Sequence, residues 1–265
     1  MPAPRQPVLF IGHGSPMNAI ERNRWSEALR QLGSTLARPE AILVVSAHWF
    51  VPGSWVTAQP QPATIHDFGG FPPALYEMRY PAPGAPQLAT AIADASEGRI
   101  RTTTGWGLDH GSWSVLCHLF PSADVPVLQL SIDQHATLET HAAIGAQLAP
   151  LRDQGVLVLG SGNVVHNLGH AFRAWRAGDR ATPDWAARFD RAVETAVLGV
   201  DRAGGVIAAA QNADAAMAHP TPEHFLPLLY AAAASAPDDR VDFPVTGFDM
   251  GSLSMRSVRF QRGAD

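Results

Sequence analysis

Short runs of Val, Ile and Leu alternate with segments of helical period along most of the chain. That alternation narrows the fold more than any other feature. The apolar runs are Val8–Ile11, Ala41–Ser46, Val125–Ile132 and Val156–Leu159. They show little polar alternation, which suits parallel strands covered on both faces. Between them, Trp25–Leu36 places Ala28, Leu29, Leu32 and Leu36 on one helical face. Gln87–Ala95, Leu138–Leu148 and Trp185–Val200 follow the same period. Strands alternating with helices predict an α/β fold, a three-layer α/β/α sandwich around a largely parallel or mixed sheet. Farther on, Val206–Met217 and Glu223–Ala234 read as helices and Ser257–Phe260 as a last strand. The stretch Pro52–Pro86 is rich in Pro and Gly and has little helix pattern. Segments of that kind inside a compact domain are usually functional or carry local strands. With 265 residues and no break in composition, a single domain over residues 1–265 is expected.

The supply of reactive residues limits the chemistry. Cys117 is the only cysteine, so neither an intramolecular disulfide nor a thiolate metal cluster is available. The net charge is −5 and the basic residues are scattered, with no Lys/Arg patch for nucleic acid or an anionic membrane. No apolar run reaches the ~18 residues of a membrane span. A cytoplasmic protein acting on a small molecule is the expectation, with homo-oligomerisation left open. There are 11 histidines against 19 Lys plus Arg. A metal site here would draw on imidazole and carboxylate, a donor set suited to Zn, Fe, Mn or Ni.

The histidines matter by position. His13 follows Val8–Ile11, His48 follows Ala41–Ser46, and His166 follows Val156–Leu159 across Gly160-Ser161-Gly162-Asn163. Each stands just beyond the carboxyl end of an expected strand, the edge at which open α/β sheets form their ligand crevice. Parallel neighbours would bring the three imidazoles together. His219 and His224 occur in Ala218-His219-Pro220-Thr221-Pro222-Glu223-His224, ahead of an apolar helix. Glu223 has a plain role there, because a helix N-terminus favours a carboxylate. His110 lies in Gly107-Leu108-Asp109-His110-Gly111, read as a loop between glycines. His66, His118, His135, His141 and His170 are assigned to structure or surface. Gly160-Ser161-Gly162-Asn163 lacks both the dinucleotide fingerprint and the lysine of a phosphate loop. Ser15 beside His13 lacks the G-x-S-x-G elbow of a serine hydrolase.

Eight segments, in order, resemble the class III extradiol dioxygenase superfamily, in its 4,5-DOPA extradiol dioxygenase branch. They are Phe10-Ile11-Gly12-His13-Gly14-Ser15-Pro16, Ser46-Ala47-His48-Trp49, Ile65-His66-Asp67-Phe68-Gly69-Gly70-Phe71-Pro72 and Tyr80-Pro81-Ala82-Pro83-Gly84. Gly107-Leu108-Asp109-His110-Gly111, Gly160 to Leu168, His219 to Phe225 and Gly251-Ser252-Leu253-Ser254-Met255-Arg256 complete the set.

The resemblance implies a mononuclear non-haem Fe(II) centre that Zn(II) can also occupy, and a catechol-type substrate opened with O2 beside its diol. It implies His13, His48 and His224 as metal ligands. It gives His166 as the base and a candidate fourth ligand, and His110 as the second active-site histidine. The protocatechuate-cleaving branch uses a carboxylate as third ligand, and Glu223 adjoins His224; the DOPA branch favours His224. Three protein ligands leave open metal positions for the two catechol oxygens and O2. Zinc has no redox chemistry, so zinc would bind without supporting this reaction. A zinc hydrolase or amidase using a metal-bound hydroxide is the alternative for the same residues.

Overall fold

The computed structural model describes residues 5–263. Its strands are β1 (Val8–Gly12), β2 (Ala41–Val51), β3 (Ser54–Thr57), β4 (Ile100–Thr103), β5 (Val127–Asp133), β6 (Val156–Gly162), β7 (Asp239–Val245), β8 (Phe248–Asp249), β9 (Leu253–Ser254) and β10 (Ser257–Arg262). Its α-helices are α1 (Arg24–Thr35), α2 (Pro73–Tyr76), α3 (Pro86–Ala95), α4 (His110–Leu119), α5 (Leu138–Leu148), α6 (Leu168–Arg176), α7 (Asp184–Leu198), α8 (Arg202–Ala210), α9 (Ala215–Ala218) and α10 (Leu226–Ala234).

Eight strands form one sheet in the order β4-β3-β5-β2-β6-β1-β10-β7. The centre, β5-β2-β6-β1, is parallel throughout. β10 runs antiparallel to β1 and to β7, and β3 runs antiparallel to β5, so the sheet is mixed.

The unbroken apolar runs of the central strands feed two layers at once. Val8, Phe10, Leu43, Val45, Val156 and Val158 pack with Ile144, Val193 and Leu228 from α5, α7 and α10. Their neighbours Leu9, Ile11, Ile42, Val44, Leu157 and Leu159 turn the other way, onto Leu29 and Leu32 of α1 and Trp113 and Leu116 of α4. Successive strand side chains point to opposite faces. Helices on both faces therefore remove the need for polar alternation, and the three-layer α/β/α sandwich expected from sequence is present.

Several boundaries differ from the sequence expectation. β2 does not stop at Ser46 but runs to Val51, so His48 lies within a strand rather than after one. Its pairing with β6 ends at Ser46, and its register with β5 jumps between Val45 and Phe50. An irregularity of this kind re-aims a side chain, and it releases His48 from the ladder. His110 is not in a loop. It opens α4, whose N-cap Asp109 accepts the Ser112 N–H. The helix between Glu223 and Ala234 is divided into a 3-10 turn, Pro222–His224, and α10, because Pro227 restarts the helix in its first turn. The helix expected at Val206–Met217 divides into α8 and α9. The irregular stretch after Val51 holds β3 and α2.

Away from the crevice, Arg152 and Asp239 form an ion pair with both side chains fully buried. The guanidinium donates to the carboxylate at 2.7 and 2.9 Å and to the Gln6 carbonyl at 2.9 Å. Burial alone would raise the Asp239 pKa, but the Arg152 hydrogen bonds hold it below the usual carboxylate range. Arg152→Met strands a buried carboxylate and is expected to cost about 3–5 kcal/mol in urea unfolding. A loss no larger than the ~1 kcal/mol of an exposed pair would contradict this account.

Candidate metal centre

The carboxyl ends of β1, β2 and β6 converge on one cavity. His13 leaves β1 one residue past the Gly12–Gly162 pairing, and its N–H donates to the Gly162 carbonyl at 3.0 Å. His224 arrives on the 3-10 turn, where its carbonyl accepts the Asn163 N–H at 2.8 Å. Gly162 permits that approach: a Cβ there would overlap the His224 carbonyl. Backbone cannot yield as a flexible side chain does. Gly162→Ala is therefore expected to cost about 1–3 kcal/mol and to weaken metal binding by displacing His224. Calorimetry of the apo- and zinc-loaded variant checks both.

His13, His48, His110, His166 and His224 all line a cavity of about 300 Å³, walled by Phe68, Phe71, Leu168, Phe172, Met250 and Leu253. Ring centroids lie 5.0 Å apart for His13 and His48, 5.0 Å for His48 and His224, and 5.4 Å for His13 and His224. His48 and His110 are closer, at 3.8 Å. His166 stacks on His224 at 3.5 Å with 7° between the rings. His13, His48 and His110 form the tightest nitrogen group, each offering one within 4.8 Å of the others.

The tautomers can be read from the contacts. The Ser161 hydroxyl donates to the Gly111 carbonyl at 2.5 Å. Its oxygen therefore accepts from His13 Nδ1 at 3.0 Å, which leaves the His13 Nε2 lone pair free. His48 Nδ1 lies 3.4 Å from the Asp67 carboxylate, which favours the same tautomer. The two Nε2 atoms then face each other at 3.3 Å. Two lone pairs at that separation repel unless a proton or a cation lies between them. His224 Nδ1 sits 3.2 Å from Glu223 Oε1. Its Nε2 is buried without a partner, a state native structures rarely leave unexplained. Imidazoles anchored through one nitrogen and open at the other fit a first-row metal ion.

Electrostatics agree. Burial, then the neighbouring imidazoles, holds His13 and His224 well below the ordinary histidine pKa. Burial, then His110, lowers His48 to about 3 despite the opposing Asp67 charge. Burial lowers His166 to about 4. Neutral imidazole is the form that ligates metal and accepts protons.

Glu223, the carboxylate next to His224, accepts the Thr221 hydroxyl at 2.7 Å besides facing His224 Nδ1. The remaining histidines bond elsewhere, as expected from sequence: His66 to the Met78 carbonyl, His118 to the Asn18 carbonyl, His141 to the Tyr230 hydroxyl, His170 to Ser252, and His135 to Gln134. His219 stacks on Phe225 at 4.6 Å.

Asp67 is the site residue that sequence reasoning passed over. An acidic residue in an irregular segment carries no periodic signal, and only its place in a matched segment marked it. Asp109 is a second. Fully buried, it accepts the Ser46 hydroxyl at 2.7 Å and so ties β2 to the start of α4. Burial, with the Asp67 charge adding, pushes its pKa up to about 6.

Residues 8–260 match the family described as the catalytic LigB subunit of aromatic ring-opening dioxygenase. A 4,5-DOPA dioxygenase extradiol of Escherichia coli K12 is 45% identical over 98% of this chain and 96% of its own. A Beta vulgaris protein of the same name is 37% identical over 96% of each chain. A crystal structure of an uncharacterized Escherichia coli K12 protein superposes with a TM-score of 0.83 at 40% identity, covering 96% of this chain and 99% of that one.

Proposed function

The chain belongs to the family of catalytic LigB subunits of aromatic ring-opening dioxygenases, and on that premise we propose that it opens a DOPA-like or related catechol with Fe(II) held by His13, His48 and His224. Its activity class is extradiol ring cleavage, as for the proteins it matches over nearly their whole length. The finer reading rests on one observation: Nε2 atoms of His13 and His48 face each other at 3.3 Å beside the orphaned Nε2 of His224. We treat the chain as one catalytic domain and the cytoplasm as its location. Among the described residues no helix is long and apolar enough to cross a membrane.

Ferrous iron, when bound, supplies open positions for two adjacent catechol oxygens and O2, and the one-electron chemistry that zinc lacks. The chain's own residues do the rest. Phe68, Phe71, Phe172 and Leu168 hold the aromatic ring against the histidine face and exclude water from it. His166 is neutral at working pH and takes a catechol proton on its imidazole nitrogen. It is also the candidate fourth ligand, and the two roles separate by experiment. His110 holds Nδ1 2.9 Å from the Asp67 carboxylate and turns its other nitrogen toward a substrate or oxygen atom.

Anaerobic reconstitution with ferrous iron or zinc, followed by a catechol panel in air, tests the reading. The expected result is oxygen uptake and a yellow ring-opened product with iron and neither with zinc. No uptake with iron on any catechol would overturn it.

A further inference from the structure

Asp67 has no helix or strand around it, yet it meets two histidines of the site. Its Oδ2 lies 2.9 Å from His110 Nδ1 and 3.4 Å from His48 Nδ1. The His110 contact is close but off the line of a good hydrogen bond. Oδ1 accepts the His110 backbone N–H at 2.9 Å. One carboxylate thus touches a β2 imidazole, an α4 imidazole and the first turn of α4. The adjacent residue, Phe68, walls the cavity.

We propose that Asp67 is a positioning residue that sets the tautomer of both His48 and His110, holding the proton on Nδ1 of each ring and leaving both Nε2 lone pairs to the cavity. The inference rests on the metal-centre reading above. An ionised carboxylate accepts hydrogen bonds and cannot donate. A neutral imidazole that meets it through Nδ1 keeps its proton there, and the far nitrogen becomes the ligand or acceptor. Oδ1 already takes the His110 backbone N–H at 2.9 Å, so the carboxylate meets this cluster as an acceptor. His48 Nε2 then faces His13 Nε2 at 3.3 Å with its lone pair exposed. Among the described residues His48 Nδ1 makes no other ion pair or hydrogen bond, so Asp67 is the partner that favours this tautomer.

Asp67→Asn makes the logic visible. An amide can accept on one side only. If its oxygen stays on the His110 backbone N–H, its NH2 group faces the two rings. Each ring then accepts on Nδ1 and carries its proton on Nε2, which blocks the lone pair that the site uses. The same carboxylate-to-amide exchange beside a catalytic histidine costs about 10⁴-fold in kcat by reversing the tautomer.

The first test needs no variant. Imidazole ¹⁵N shifts of the zinc-loaded wild type, in which an ion rather than a proton lies between the facing Nε2 atoms, are expected to show His48 and His110 protonated on Nδ1. Protonation of either ring on Nε2 overturns the proposal. The second test is zinc affinity of the apoprotein, read by competition with a chromophoric chelator and independent of turnover. Asp67→Asn is expected to weaken zinc binding about 10–100-fold, the usual effect of losing a partner behind a metal ligand. Asp67→Glu is expected to recover part of that loss. A merely structural role predicts a lower Tm with unchanged zinc affinity and unchanged tautomers, and that outcome overturns the proposal. Failure of the function is separate: it appears as no catechol opening in the iron-loaded wild type, whatever the tautomers are.

Discussion

Exchanging His166 for Gln is expected to leave ferrous iron bound and to slow ring cleavage about 10²–10⁴-fold, the range for loss of a positioned general base. His166 is set by backbone on two sides. Its N–H donates to the Ala218 carbonyl at 2.7 Å, and it forms an isolated bridge with Leu253. Its ring lies flat on His224 at 3.5 Å, so it reaches the cavity beside a proposed ligand. Burial lowers its pKa to about 4, and the neutral ring offers a lone pair across the physiological range. Gln fills a similar volume and keeps a polar end but cannot carry the proton. Iron content measured alongside single-turnover rates separates the cases. Loss of iron in His166→Gln would make His166 a fourth ligand. Full iron with unaltered turnover would deny it either role.

The second large effect concerns the third ligand. His224→Ala is expected to strip the iron and abolish turnover, whereas His110→Ala is expected to retain iron and lose rate. Proximity alone would choose otherwise, since His13, His48 and His110 are the tightest nitrogen group. Two facts favour His224. Its Nε2 is buried and unpartnered, while Glu223 stands at its Nδ1. His110 is tied to Asp67 by its backbone N–H at 2.9 Å, which fixes it at the cavity wall, while its ring Nδ1 lies near the same carboxylate without a hydrogen bond. Metal analysis of the two purified variants decides: iron retained in His224→Ala and lost in His110→Ala would exchange their roles.

The layered fold was legible because burial on both faces leaves a compositional trace. Val8–Ile11 and Val156–Leu159 could be read as parallel strands from their lack of alternation alone. β3 and β4 could not, since they are four residues each and half exposed or flanked by turns. The α4 helix was hidden by its burial. His110, Trp113, Leu116 and His118 all lie inside, so no polar face marks its period. The N-cap Asp109 was a visible helix-start signal, but the glycines on either side read more strongly as a loop.

The sequence by itself determined the material of the site: imidazoles rather than thiolates, placed after runs that had to be central strands. In β1 and β6 the apolar run ends close to the carboxyl end of the strand, so His13 and His166 could be assigned to one edge without coordinates. What only the tertiary structure decided is which nitrogen of each ring faces the cavity. That choice depends on Ser161 and Gly111 for His13 and on Asp67 for His48. These partners come from distant segments and join only when β2, β6 and α4 pack. Local sequence encodes backbone direction and burial through periodicity, whereas a tautomer is set by a single hydrogen-bond partner across the fold, which no periodicity records.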